Sequence, residues 1–197
     1  MSTRFHYAVK DGLFSELKIA TKADANSRDE EGMTPLLWTA HQGNLDALKL
    51  LIGKGGNPSA RNNSGDTALH LTAKQGHIDC VNFLVTLGEN IYSLNMENHT
   101  AKDLAALANQ DKVLAFLDNQ MNGFETFNRK KAEALQSEAK KDLQAFIAHS
   151  NRRKSRSNLL DHLKIGRKSK LDPTTSPTIS ADSLSSNSEV FFGGSFK

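Results

Sequence analysis

The histidines and the single cysteine are the residues with the most chemistry to offer, as metal ligands, general bases or nucleophiles. His41, His77 and His99 lie far apart in the sequence, without the close spacing of a zinc site. Cys80 sits among apolar residues, so we expect a small core residue rather than a nucleophile. No glycine-rich phosphate loop and no nucleophile elbow occurs. The sequence therefore predicts no enzyme, no metal centre and no cofactor.

Internal repetition is the strongest pattern in the chain of 197 residues. The segment 32–43 recurs as 65–76, an offset of 33 residues that continues through Leu51 and Leu84. A third copy begins at Asn98, and a degenerate copy, two residues shorter, precedes Gly32. A fixed period of this length predicts stacked repeats of one small structural unit.

Local signals within each copy predict a pair of helices. Thr34 and Thr67 stand where a helix N-cap is expected, and Pro35 follows at the first helical position. Gly43 and Gly76 stand where the first helix should end in a left-handed residue. One pair cannot bury its apolar face alone, so at least three must stack. The predicted units are 1–31, 32–64, 65–97 and 98–121.

The 33-residue period with Thr67-Ala68-Leu69-His70 resembles the ankyrin repeat, over about residues 4–120. The resemblance implies an all-α solenoid of helix-turn-helix repeats with β-turn tips, and a structural, hydrogen-bonding role for His70. Trp38 replaces the usual leucine of the first helix, and we expect it to pack in the core. In this fold the tips and the first helices line a groove that binds protein partners.

Family positions define a predicted groove on this chain. Its members are exposed tip and first-helix residues: Glu30, Glu31, Met33, His41, Gln42, Asn63, Ser64, Asp66, Lys74, Gln75, Met96, Glu97 and His99. The tip at Glu30 and Glu31 is acidic, so a basic peptide or helix is the expected ligand, from a partner or from the chain's own tail.

Charge divides the chain into three parts. Residues 1–127 carry 11 basic and 15 acidic residues. Residues 128–170 carry 13 basic and 4 acidic residues, and residues 171–197 carry 1 basic and 3 acidic residues. Such asymmetry concerns partners rather than fold. The basic patch comprises Arg129, Lys130, Lys131, Arg152, Arg153, Lys154, Arg156, Arg167 and Lys168.

Apolar spacing predicts an amphipathic basic helix over 128–150. Three uses stay open for it: packing on the last repeat, self-association with a second chain, or binding a partner's groove. Residues 151–197 are expected to form a basic, then Ser/Thr-rich, disordered tail. The alternative function is binding of nucleic acid or anionic membrane by 128–170, although no aromatic residues interleave the basic clusters, which disfavours nucleic acid.

A closer resemblance rests on the order of variations within the repeats. Segments 29–45, 55–58, 76–91 and 128–131 resemble the N-terminal region of Sans, the Usher-syndrome scaffold, and of its paralogue, the harmonin-interacting ankyrin repeat protein. The resemblance implies a non-enzymatic adaptor that links a harmonin-type PDZ scaffold and a class VII myosin in actin-based protrusions. No apolar run of membrane-spanning length and no signal peptide is visible, so we expect a cytoplasmic location, with nuclear import as the alternative that the basic clusters favour.

Overall fold

The computed structural model describes residues 3–168, and every regular element within them is an α-helix, which confirms the predicted all-α architecture. The helices are α1 (Arg4–Lys10), α2 (Phe14–Leu17), α3 (Lys22–Ala25), α4 (Pro35–Gln42), α5 (Leu45–Gly53), α6 (Ala68–Gln75), α7 (Ile78–Leu87), α8 (Ala101–Leu107), α9 (Asp111–Phe127) and α10 (Arg129–Lys168). The pairs α4–α5, α6–α7 and α8–α9 follow the 33-residue period, and each pair is preceded by a hairpin tip.

The helix ends lie where the sequence signals place them. The Thr34 hydroxyl oxygen accepts a hydrogen bond from the Leu37 backbone N–H at 3.2 Å, and Pro35 opens α4. Gly43 ends α4 with a φ of 72°, in the left-handed region that favours glycine. A Cβ at Gly43 would also lie 2.4 Å from the His77 ring, so a side chain is excluded there for a second reason.

The apolar core runs continuously through the stacked pairs. Its largest fully buried leucines are Leu17, Leu36, Leu37, Leu48, Leu51, Leu69, Leu84 and Leu117. Cys80 is 1% exposed, and burial raises the pKa of its thiol to about 11. A protonated, enclosed thiol is a poor nucleophile, which fits the prediction of a core residue.

The first and last units differ from the inner ones. In the first, the two short helices α2 and α3, of four residues each, lie where the next unit has the single helix α5. In the last, Lys102 forms an ion pair with Asp118. Asp103 accepts hydrogen bonds from the backbone N–H and the hydroxyl of Thr100, each at 2.8 Å. Asp103 thus caps α8, and Lys102 ties α8 to α9.

Helix α10 begins at the predicted place but continues to Lys168 instead of ending near residue 150. Arginine and lysine are good helix formers, and the first proline after Asn128 is Pro173, so nothing in 151–168 interrupts the helix. The expectation of a disordered tail is thus wrong for 151–168, and its remainder, 169–197, lies outside the described residues. Among the described residues, 3–154 belong to one compact unit and 155–168 to a second.

His70 joins one repeat to the tip of the next. Its ring is fully buried; the Thr67 N–H donates to Nδ1 at 3.2 Å, and Nε2 donates to the His99 carbonyl oxygen at 3.1 Å. Because an amide N–H can only donate and a carbonyl can only accept, the ring is neutral, with its proton on Nε2. The structural role implied for His70 is thus borne out by its contacts.

His6 makes the same connection in the degenerate first repeat. Thr3 N–H donates to its Nδ1 at 3.0 Å, and its Nε2 donates to the Met33 carbonyl oxygen at 3.0 Å. Sequence reasoning missed this residue, although the spacing from Thr3 to His6 equals that from Thr67 to His70.

Acidification should destabilise the fold through His70. Burial lowers the pKa of His70 from 6.5 to about 4, so the unfolded state binds a proton more readily than the folded state. The contribution of the neutral His70 ring to the free energy of unfolding is complete above pH 6.5. It declines by about 3 kcal/mol as the pH falls to about 4. We expect His70→Gln to be less stable at pH 7.5 and to lose less stability on acidification, as measured by urea unfolding. His149→Gln, on the exposed part of α10, is the control; parallel pH curves for wild type and His70→Gln would contradict the assignment.

Candidate protein-binding surface

Three side chains at a 33-residue spacing fold the hairpin tips. In each, a side-chain oxygen accepts two backbone N–H groups from the residues two and four positions later. The acceptors are Asp29 (from Glu31 at 3.0 Å and Met33 at 2.8 Å), Asn62 (from Ser64 at 3.0 Å and Asp66 at 2.8 Å) and Asn95 (from Glu97 and His99, both at 3.0 Å). Each tip is therefore held in shape by its own Asx turn.

The tips are joined into a row by hydrogen bonds between neighbouring repeats. The Asn63 N–H donates to the Glu31 carbonyl at 3.0 Å, and the Met96 N–H donates to the Ser64 carbonyl at 3.0 Å. The Asn95 amide also donates to Asp66 at 3.0 Å. The row therefore presents its outward side chains at fixed positions, as a binding surface requires.

Most of the predicted groove residues remain accessible, but two do not. Met33 is 4% exposed and packs in the core, and Asp66 is 9% exposed and accepts hydrogen bonds from Asn62 and Asn95. The prediction that Met33 and Asp66 are exposed groove residues is therefore wrong, because both side chains are used to hold the tips together. The exposed members are Glu30, Glu31, Gln42, Asn63, Ser64, Lys74, Gln75 and Glu97, and the half-buried ones are His41, Met96 and His99.

The accessible part of this surface carries acidic side chains at the first and last tips and the half-buried ring of Trp38 on α4. Glu30, Glu31 and Glu97 are exposed. Trp38, which we expected to pack in the core, is half-buried and packs against it. Its indole N–H donates to Asp29 at 2.8 Å, and the Lys10 ammonium lies 4.0 Å from its ring centre. We define Glu30, Glu31 and Glu97 as the acidic row.

Helix α10 packs against the segments that lead into the tips, and not only against the last repeat. The Asn90 amide donates to the Leu135 carbonyl at 2.9 Å. Ala132, Ala139 and Leu143 are buried. Of the three uses left open for this helix, packing within the chain is the one the structure shows, so the apolar face on which self-association was predicted is largely covered.

Arg61 is a buried cation that links two tips and contacts α10 through the ring of Phe146. It is 8% exposed, donates to the carbonyl oxygens of Gly65 at 3.0 Å and Leu94 at 2.5 Å, and places its guanidinium 5.8 Å from the ring centre of Phe146. Burial lowers its pKa, and the carboxylates of Asp142 and Asp66 oppose that shift. Sequence reasoning missed this contact, although Arg28 and Arg61 share one repeat position.

The predicted basic patch lies along α10. Arg129, Lys130, Lys131, Arg152 and Arg153 are exposed. Arg129 pairs with Glu133 at 3.0 Å, and the Lys131 ammonium lies 5.1 Å from the Phe124 ring centre. Lys154, Arg156, Arg167 and Lys168 belong to the helix, but their side chains lie outside the described part. Binding of nucleic acid or anionic membrane by this patch stays a prediction.

Neither a metal-binding cluster nor a membrane-spanning helix is present among the described residues. Within 3–168, no group of three or more His, Cys, Asp or Glu side chains is arranged to hold a metal ion. The described helices also include none that is both long and apolar enough to span a bilayer.

Comparison with known proteins identifies the repeats. A family model described as ankyrin repeats, in three copies, matches residues 5–95 and 55–130. The chain belongs to the ankyrin-repeat family. Ankyrin repeats are protein-binding modules.

Two relatives share a shorter region with this ankyrin-repeat chain. They are the human and mouse proteins called ankyrin repeat and SAM domain-containing protein 4B, and each is 52% identical over 58 residues. That region is 29% of this chain and 14% of the length of either relative. The similarity therefore concerns a small part of those proteins.

Truncating Phe146 should loosen α10 from the repeats. Phe146→Ala removes the ring beneath the Arg61 guanidinium, a contact of about 1–2 kcal/mol in a partly desolvated position. We expect faster amide hydrogen exchange over 135–150 while α4–α7 keep their protection. Phe127→Ala is the matched control, since that ring is 83% exposed. Unchanged exchange in α10 of Phe146→Ala would show that the contact does not hold the helix.

Proposed function

We propose that this ankyrin-repeat chain is a non-enzymatic adaptor that binds a basic segment of a protein partner on its acidic row. The observation that carries the proposal is the accessibility of Glu30, Glu31 and Glu97 at tips held rigid by Asx turns. A preorganised surface loses little entropy on binding, and matched charges speed encounter and select partners.

The position of the chain's own basic helix is an argument that the ligand of this surface comes from another protein. In the compact unit 3–154, α10 packs against the loops around Arg61 and Asn90, and leaves the three acidic side chains exposed. The acidic row is thus free to receive a segment from another protein.

We further propose that the adaptor works in actin-based or cytoskeletal assemblies of the cytoplasm. The support is the resemblance to the Sans family, in whose members a harmonin-type PDZ scaffold and a class VII myosin are the linked partners. These two are the first partners to test on this chain.

Reversing the charge of the acidic row should abolish capture of a basic partner. We expect full-length Glu30→Lys/Glu31→Lys to lose at least about tenfold in affinity for such a partner, because two attractive charges become repulsive. The measurement is affinity capture from a cell extract, followed by titration of each captured protein.

The matched control makes the same charge change elsewhere on the surface. Glu125→Lys/Glu133→Lys alters exposed residues of α9 and α10 that lie outside the acidic row. Partners that survive in the control and vanish in Glu30→Lys/Glu31→Lys use the acidic row. Retention of every partner by both variants would remove the acidic row from the binding site.

A further inference from the structure

A cavity lies between the repeats and α10, and none of the acidic-row residues lines it. Its volume is about 430 Å³, and it is lined by Arg28, Asn63, Phe146, His149, Ser150 and Arg153. Arg28 comes from the segment before the first acidic tip, whereas His149 and Arg153 lie one turn apart on α10. All lining residues belong to the compact unit 3–154.

The two arginines of this cavity lack a balancing carboxylate. Neither Arg28 nor Arg153 takes part in an ion pair with a described residue, and no acidic residue lines the cavity. Partial burial lowers the pKa of Arg28, and the positive charge of Arg153 lowers it further. Two cations therefore lie near each other without an ion-pair partner among the described residues, although Arg28 also lines an adjoining cavity that contains Glu89, Glu138 and Asp142.

The neighbouring Arg61, by comparison, has hydrogen-bond acceptors and carboxylates around its guanidinium group. Its guanidinium donates to two carbonyl oxygens and lies in the field of Asp142 and Asp66. Arg28 occupies the same repeat position as Arg61, but its guanidinium forms no ion pair with any residue that the structure describes. A bound anion would turn the repulsion between the two guanidinium groups into attraction, which makes an anionic ligand the natural candidate for this cavity.

We propose that this cavity binds a phosphate monoester group through Arg28 and Arg153. Guanidinium groups match phosphate oxygens with paired N–H donors, and a phosphate monoester carries nearly two negative charges at neutral pH. Ser150 adds a hydroxyl donor at the rim, and Phe146 forms an apolar wall that limits water around the ion pairs.

The site exists only when α10 is docked, because its two arginines come from different parts of the chain. A bound phosphate group therefore stabilises the docked helix by mass action. The proposal does not depend on the acidic row, since the cavity and its charges are separate from Glu30, Glu31 and Glu97.

The test is a titration of the full-length protein at a constant ionic strength of about 0.15 M, where long-range attraction is screened. The probes are the peptide acetyl-Gly-phosphoserine-Gly-amide, its unphosphorylated form, and inositol 1,4-bisphosphate as a soluble lipid headgroup. We expect a phosphorylated probe to bind, with Arg28→Gln and Arg153→Gln each weakening it about tenfold or more. The peptide and headgroup arms tell a protein source of phosphate from a lipid source.

Arg152→Gln is the matched control, because Arg152 is exposed on the same helix and does not line the cavity. Hydrogen exchange over 135–150 checks that each variant keeps α10 docked. Full affinity in Arg152→Gln, with loss in both cavity variants, would establish the site. Absence of binding by both phosphorylated probes, or an equal loss in Arg152→Gln, would overturn the proposal.

Discussion

Each repeat of this protein buries its apolar residues only against its neighbours, and this constraint governs the rest of the structure. The inward-facing leucines of α4 to α7, such as Leu36, Leu51 and Leu84, are fully buried because the helix pairs stack, and the tips keep their spacing because their backbones are hydrogen bonded to one another. His70 fastens a first helix to the following tip by a neutral, doubly satisfied ring. The exposed acidic side chains are therefore positioned by contacts made well beneath them.

Helix α10 uses a different principle, since it crosses the repeats instead of extending them. Its contacts combine buried alanines with a few polar anchors, of which Arg61 is the most enclosed. The docked helix leaves the chain with two separate charged surfaces, one negative and one positive. The acidic row faces outward from the tips, whereas the positive charges of Arg28 and Arg153 meet at the edge of the docked helix.

Local signals predicted the repeats well, because caps and left-handed glycines act within a few residues. Thr34, Pro35 and Gly43 are examples, and the spacing from Thr3 to His6 would have identified the first repeat's histidine as well. The burial of Met33 and Asp66 was missed because exposure at a tip depends on which side chains hold its turn together. The path of α10 was missed because it depends on long-range contacts, such as that between Asn90 and Leu135, which are 45 residues apart.

The contacts of α10 also bear on how the chain folds. A repeat stack makes mostly local contacts and can grow from any nucleus, so its folding is expected to be fast. Arg28 and Arg153, by contrast, come from opposite ends of the compact unit and can meet only after the repeats between them have formed. Docking of α10 is then a late step, and the cavity beside it forms last.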